Sequence, residues 1–422
     1  MADMDSTDSP APPPATSRHW KWKVCALLLL ASAINYMDRQ TLANASVRIT
    51  KEFGLNQAQY GNIEAVFGYA FAAGSLVFGV LADRLSVRAL YAFVLVAWSV
   101  AGFATGFVQN YDQLLFCRLA LGFFEAGHWP CAIRATRMLL DGRERAMGNG
   151  LLQSGASLGA IITPVVMHAL MTPDVGSWRI PFLVVGAAGV FWVAPWLILL
   201  RGQPLRQERP SRDGKKSGGA SEFLKLLLTR RMLIVFVVIA CINTTWQVMR
   251  AWMPKFLQEG RGYSETQALF FNSGWFAATD VGCLAAGAAA AWLARGRLSV
   301  HGARVAVFAA CALLCAACAL VPWLQKGWLL LGMLALAGAG ALGVFPIYHA
   351  FTQDISGEHQ GKITGAAGVA AWLLPAQIQK LFGMLADKTG SFDLGMALAA
   401  MLPLLVVPLL LLFWNPRTPA TQ

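Results

Sequence analysis

The chain has 422 residues, of which 56% are hydrophobic and only 13% charged, with a net charge of +12 and a mean hydropathy of +0.52. Soluble globular chains carry about a quarter charged residues, so this composition excludes a string of soluble domains and describes an all-α, polytopic membrane protein. The excess of positive charge does not indicate nucleic acid: the basic residues cluster in short connections between apolar segments, a signal of membrane topology.

Residues 1–23 open on a stretch rich in Asp, Ser, Pro and Ala, with no basic region ahead of a short apolar core. They read as a disordered cytoplasmic tail rather than a signal peptide. A helix needs about 20 apolar residues to cross the hydrocarbon core. By that measure twelve spans are expected, at about 24–45, 60–81, 89–108, 113–133, 146–170, 180–200, 232–256, 267–293, 303–322, 328–350, 361–386 and 393–414. Six precede and six follow a Gly/Ser/Lys/Arg-rich connection, 201–231, which reads as a cytoplasmic linker between an N-terminal half, 24–200, and a C-terminal half, 232–414. Residues 415–422 are a second tail. Placing both termini in the cytoplasm puts 23 Lys and Arg on that side and 7 on the other, the bias the positive-inside rule expects.

Charge inside the apolar segments is the informative feature. Asp38 and Arg39 lie in the first span, Arg118 and Glu125 in the fourth. An ionised group at bilayer depth costs several kcal/mol, so it usually faces a bundle interior or a water-filled path and has a partner. Arg118 and Glu125 are seven residues apart, nearly two turns and roughly 10 Å along one helix face. They are too far apart to pair directly, and Asp38 and Arg39 are the partners on offer. An arginine fork suits a carboxylate, so Arg118 and Arg39 are candidates to hold an anionic solute. Asp38 and Glu125 are candidates to carry protons, since the protonation of a buried carboxyl depends on whether an arginine stands beside it. The plainer alternative for all four is a fixed ion-pair network that only locks the bundle.

In the seventh span Asn243, Trp246 and Arg250 share a helix face and offer an amide, an aromatic ring and a cation to a sugar acid; an interfacial anchor is the alternative. Asp280, a lone acid in the eighth, can pair with Arg250 as a gate or bind a cation, which leaves Na⁺ open beside H⁺. Tyr69 and Glu64, Gln153 and Ser157, and Gln377 can line a hydroxyl-binding cavity or simply bond helix to helix. His128, His168 and His349 have no metal spacing and read as packing or solvated groups. The eight cysteines, including Cys315-Ala-Ala-Cys318 in mid-span, read as buried small residues. Gly155 and Gly159 form a small-x-x-x-small packing stripe, with Pro164 bending the fifth span. No phosphate-binding loop or His-Glu-x-x-His occurs, so neither ATP-driven pumping nor metalloprotease chemistry has support. No cofactor or metal is expected, and no nucleophile–base pair suggests an enzyme.

Gly79-Val-Leu-Ala-Asp83-Arg84-Leu-Ser-Val-Arg88, between the second and third spans of a two-half chain with a basic central loop, resembles the cytoplasmic signature of the major facilitator superfamily, with Ser86 in place of the usual Gly. The resemblance implies the major facilitator fold of twelve transmembrane helices in two six-helix halves, and a gating role for Asp83, Arg84 and Arg88. The alternative is a charged turn under the positive-inside rule. Gly383-Met-Leu-Ala-Asp387-Lys388 repeats the pattern at the end of the eleventh span, the equivalent position under nested three-helix repeats. More narrowly, Asn35-Tyr-Met-Asp38-Arg39 and Arg118-Leu-Ala-Leu-Gly122-Phe-Phe-Glu125-Ala-Gly127 resemble the anion:cation symporter branch, as does Gln353-Asp354-Ile-Ser-Gly357. That branch includes bacterial hexuronate and aldonate carriers and animal organic-anion carriers. The resemblance implies a monomeric carrier in a bacterial inner membrane, importing a small organic anion with protons. An exchanger of organic phosphates or anions, or a solute sensor that binds without transporting, stays open at this stage.

Overall fold

The computed structural model describes residues 18–201, 227–296, 298–353 and 360–413, and among them the chain is helical with no strand. In the first half the helices are α1 Arg18–Glu52, α2 Gln57–Arg84, α3 Val87–Thr105, α4 Tyr111–Glu125, α5 His128–Leu139, α6 Gly142–Leu170 and α7 Arg179–Leu199. In the second they are α8 Arg230–Lys255, α9 Glu265–Arg295, α10 Val300–Ala316, α11 Trp328–Gly343, α12 Phe345–Gln353, α13 Gln360–Thr389 and α14 Asp393–Phe413. The expected tails before 18 and after 413, most of the linker and the Asp354–Gly357 motif lie outside the described residues.

Ten helical runs among the described residues are long and apolar enough to cross a bilayer. The two that complete the expected twelve are α1, which is polar, and the α4–α5 pair, which is broken into two short helices. In α1, Ser32, Asn35, Asp38, Arg39, Gln40 and Asn44 are all buried against protein. The α4–α5 pair carries Arg118 and Glu125 and is interrupted at Ala126–Gly127. Pro130 has no N–H to give the Ala126 carbonyl and its ring crowds that group, which accounts for the break. The tenth span is divided in the same way, at Val344, where Pro346 cannot bond Leu342. These spans are equivalent between halves, so the repeat extends to their kinks. Helix α1 starts at Arg18, earlier than the expected 24, because Trp20 donates to the Leu199 carbonyl and Lys21 reaches Glu144 and Asp141.

Large apolar side chains such as Phe116, Phe191, Leu284 and Leu412 remain exposed on the outside of the bundle, the surface expected of a protein solvated by lipid. Within the first half α1 packs on α6 and α7, and α3 on α4 and α7; within the second α8 packs on α13 and α14, and α9 on α11. Gly155 and Gly159 of α6 do lie against the Leu29 and Ala33 carbonyls of α1, where no Cβ fits. The halves meet along α2–α13, α6–α9 and α1–α8. Close approach of α2 and α13 depends on Gly61, Gly68 and Gly383, which face Gln379, Ala376 and the Gln57 carbonyl.

Among the described residues, a series of bonds joins the halves from mid-bundle to the end opposite the termini. At mid-bundle Ser157 donates to Asp280 (2.8 Å), and Asn272 to Asn44 (2.8 Å). Toward the far end Tyr60 donates to the Ala251 carbonyl, Lys255 to Thr50 (2.9 Å) and Gln57 to Glu259 (2.8 Å). At the rim Arg48 grips Glu265 through both Nε (2.7 Å) and Nη2 (2.6 Å). Asp387 accepts from the Gln57 and Ala58 amides at the N-terminus of α2 (2.9 and 2.8 Å). The structure is thus clasped shut at the end away from the termini.

Candidate functional site

Six charged side chains from both halves converge at mid-bundle, all at most 4% exposed: Asp38 and Arg39 (α1), Glu64 (α2), Arg118 and Glu125 (α4) and Arg250 (α8). The Arg39 Nε donates to Glu125 Oε2 at 3.0 Å, so the expected pairing between the first and fourth spans forms. Four aromatic rings surround that guanidinium: Phe71 (4.9 Å to the ring centre), Tyr36 (5.2 Å), Trp372 (5.4 Å) and Phe67 (5.8 Å). Such rings stabilise a desolvated cation.

Arg118 finds a different partner from the one the spacing suggested. Neither Asp38 nor Glu125 bonds it; Glu64 Oε1 lies 3.9 Å from its Nη2, and Phe67 packs under it with 4.7 Å to the ring centre. The other carboxylate oxygen of Glu64 accepts from Arg250 Nη2 at 2.8 Å. Glu64 therefore links an arginine of the first half to one of the second. Arg250 also donates to Gln247 (2.8 Å), whose carbonyl accepts from Gln379 (2.9 Å), and Gln379 accepts from Trp252. The expected Arg250–Asp280 pair does not form, because Glu64 holds Arg250 and Ser157 holds Asp280.

Unspent hydrogen-bonding capacity is concentrated here. All three nitrogens of Arg118, one terminal nitrogen each of Arg39 and Arg250, and both carboxylate oxygens of Asp38 are buried with no hydrogen-bond partner. Buried polar groups are ordinarily satisfied, and the exceptions call for an explanation. Asp38 faces α3 at Gly102, where a Cβ would come within 2.8 Å of Oδ1. Only glycine leaves this carboxyl its space.

The remaining sequence candidates divide. Tyr69 donates to Gln377 across the halves, next to the charged centre along α2. Asn243 is buried with its amide on the Ile239 carbonyl, and Trp246 stacks on Trp275 at 5.6 Å; the proposed one-face stripe is instead part of a helix buried nearly all round. Gln153 is exposed and joins none of these bonds. At the terminal end Asp83 is solvent-exposed and 3.9 Å from Arg134, Arg84 is exposed, and Arg88 donates to the Leu197 carbonyl. His128 bonds the Ser32 and Tyr91 hydroxyls in a wholly buried position (3.1 and 2.9 Å), a packing role as expected. The eight cysteines are free thiols, and no metal-binding group occurs among the described residues.

Three residues gain weight from the structure. Glu64, read from sequence only as a lesser cavity group, is central; the rule that singled out charge in the first and fourth spans applied equally to it. Asp387 and Lys255, unassigned in the sequence, belong to the far-end clasp.

Chemically, three buried guanidiniums with free N–H donors, drawn from both halves and flanked by carboxyls, make a site for an anion whose arrival can change the state of those carboxyls. The chain is similar to a probable sulfoacetate transporter of Cupriavidus necator, 28% identical and covering 93% of each chain. It is also similar to the hexuronate transporter of Escherichia coli K12, 24% identical and covering 90% of each. In fold it matches a bacterial homolog of the human lysosomal transporter Spinster (TM-score 0.74, 15% identity, 94% of this chain and 96% of that one). It matches a D-xylose–proton symporter equally well (TM-score 0.74, 14% identity, 96% and 100%). With residues 28–377 matching the family, the chain belongs to the Major Facilitator Superfamily and is a membrane transport protein, not an enzyme.

Proposed function

We propose that the protein imports an organic anion, a sugar acid such as a hexuronate or aldonate, by proton symport and alternating access. The observation that carries this reading is the buried, partly unpartnered arginine cluster between the halves, with Arg118 lacking any hydrogen bond. A wholly buried guanidinium without a bond is costly, and a carboxylate ligand supplies the missing acceptor in the geometry it favours. The relatives' printed substrates, hexuronate among them, support the same class.

In this mechanism the solute's carboxylate binds Arg118 and draws Arg39 toward it. Glu125 then loses its counter-charge and takes a proton, and Asp38, already without a partner, is the second proton carrier. The roles fit the need for coupling: entry of an anion against an inside-negative potential is opposed by about 2.3 kcal/mol per charge per 100 mV. The far-end clasp and the Asp83–Arg84–Arg88 turn are the opposing gates. Both termini are cytoplasmic, in a bacterial inner membrane, which makes the described state one that is closed to the outside.

The test is uptake of glucuronate and gluconate into proteoliposomes under an imposed pH gradient. Arg118→Ala should lose uptake at limiting substrate. Glu125→Gln should lose accumulation while retaining exchange of labelled for unlabelled solute. Gradient-driven accumulation left intact in Glu125→Gln would sink the coupling assignment, and counterflow of phosphate esters without proton dependence would favour an exchanger.

A further inference from the structure

The Arg118–Glu64–Arg250 bridge has a geometry that the carriage of one carboxylate does not require. A single carboxylate, Glu64, spans the two halves, with one oxygen 2.8 Å from Arg250 and the other 3.9 Å from Arg118. Arg39 and Glu125 form a separate pole. Trp372 touches both poles: its ring centre is 5.4 Å from the Arg39 guanidinium, and it lines the small cavity that also holds Glu64, Arg250, Gln247 and Gln379. Two cationic poles thus lie within reach of one indole, with the Gln247 and Gln379 side chains lining the cavity at the second.

We propose that the second pole is an anion subsite, that Glu64 is a tethered stand-in for the acid that fills it, and that the preferred solute carries two acidic groups. This rests on the carrier reading above and narrows its substrate class. Three observations lead to it. Arg118 keeps all its N–H groups unbonded although Glu64 is beside it, so Glu64 occupies the subsite without satisfying it. Arg250 keeps Nη1 free, and its Nη2 is released from Glu64 once that side chain turns aside, which leaves donors for an incoming oxyanion. The buried cations Arg39, Arg118 and Arg250 are matched by Asp38, Glu64 and Glu125, so protonating Asp38 and Glu125 leaves two positive charges uncompensated. A solute with one acidic group takes the free donors of Arg118 and Arg39 and leaves Glu64 on Arg250. One with an acid at each end replaces Glu64 and joins the two halves through the ligand itself.

The experiment measures affinity of the purified full-length protein for glucarate, gluconate and glucuronate, which share a six-carbon skeleton but carry two, one and one carboxylates. Glucarate should bind at least about tenfold tighter than either of the others, one good charge-assisted contact's worth. Glu64→Gln should lower the melting temperature of the free protein yet tighten glucarate about tenfold, a gain that structural damage does not produce. The double variant Glu64→Gln/Arg250→Gln, which keeps buried charges of the two signs equal in number, should bring glucarate within about threefold of gluconate. Gluconate binding as tightly as glucarate in the wild type, with Arg118 required, would overturn the second subsite and leave the carrier reading standing. Binding of none of the three acids would overturn both.

Discussion

Asp387→Ala should open the far end of the bundle. Asp387 closes α13 and accepts from the Gln57 and Ala58 amides of α2, at 2.9 and 2.8 Å. Those are orphan donors of the first turn that the helix's own cap cannot serve, since Asn56 is already bonded to Gln59. The carboxylate also lies at the positive end of the α2 dipole. Loss of an N-cap costs about 0.5–2 kcal/mol, and because Asp387 is exposed the lower part of that range applies, about 1 kcal/mol. Both bonds exist only while the halves touch here, so the whole amount bears on the equilibrium between closed and open far ends, a shift of about fivefold. Spin labels replacing the exposed Lys51 and Lys388, one on each half, report the distance. The long-distance population should grow about fivefold in Asp387→Ala, with Asp387→Asn intermediate because one acceptor oxygen remains. A distance distribution identical to wild type in a folded Asp387→Ala protein would refute the clasp.

Gly383→Val should have a larger effect in the same assay: its Cβ would run into the Gln57 carbonyl and lie 2.9 Å from the Ala58 Cα, so the far end should stay apart and uptake fall more than about tenfold. Arg118→Lys should raise the KM for a sugar acid about tenfold with the charge retained, because a point ammonium cannot reproduce the planar fork; an unchanged KM would show that charge alone suffices. His128→Ala should strand the buried Ser32 and Tyr91 hydroxyls at about 1–3 kcal/mol each, lowering the melting temperature without altering the order of preference among solutes.

The sequence makes the spans legible because membrane thickness fixes their length, and it makes the site's location legible because charge is expensive there. The Arg39–Glu125 pair was accessible by elimination: two residues too far apart on one helix must look to another. The same reasoning could not find Arg118's partner. Helix spacing tells which residues share a face, not which helix that face meets, and Glu64 meets Arg250 across 186 positions of sequence. For that reason the pairing of Asp280 with Arg250, one of the two roles its sequence position offers, is replaced in the structure by a bond from Ser157. The Gly383–Asp387 repeat was visible as a pattern, but its work depends on the N-terminus of α2 arriving beside it, a property of the closed state. The buried face of α8 was beyond periodicity altogether, since a helix buried on nearly every side has no polar stripe to read.

Charge balance gives the proposed roles a consequence that can be measured without any mutation. If Asp38 and Glu125 each carry one proton inward per cycle, the current depends on the solute. A solute with one carboxylate moves with net charge +1 and is drawn in by an inside-negative potential, at about 2.3 kcal/mol per 100 mV. A solute with two moves with none, and the potential neither helps nor hinders it. Its accumulation then rests on the pH gradient alone. Proteoliposomes on a sensor surface should therefore give an inward positive current with gluconate and only a displacement transient with glucarate, while both acidify the lumen during uptake. Clamping the potential at zero should lower gluconate accumulation and leave glucarate unchanged. A sustained current with glucarate would mean that more than two cations accompany it, and a third site would then be needed beside Asp38 and Glu125. Glu64, released from both arginines when that solute binds, is the carboxyl in position to supply one.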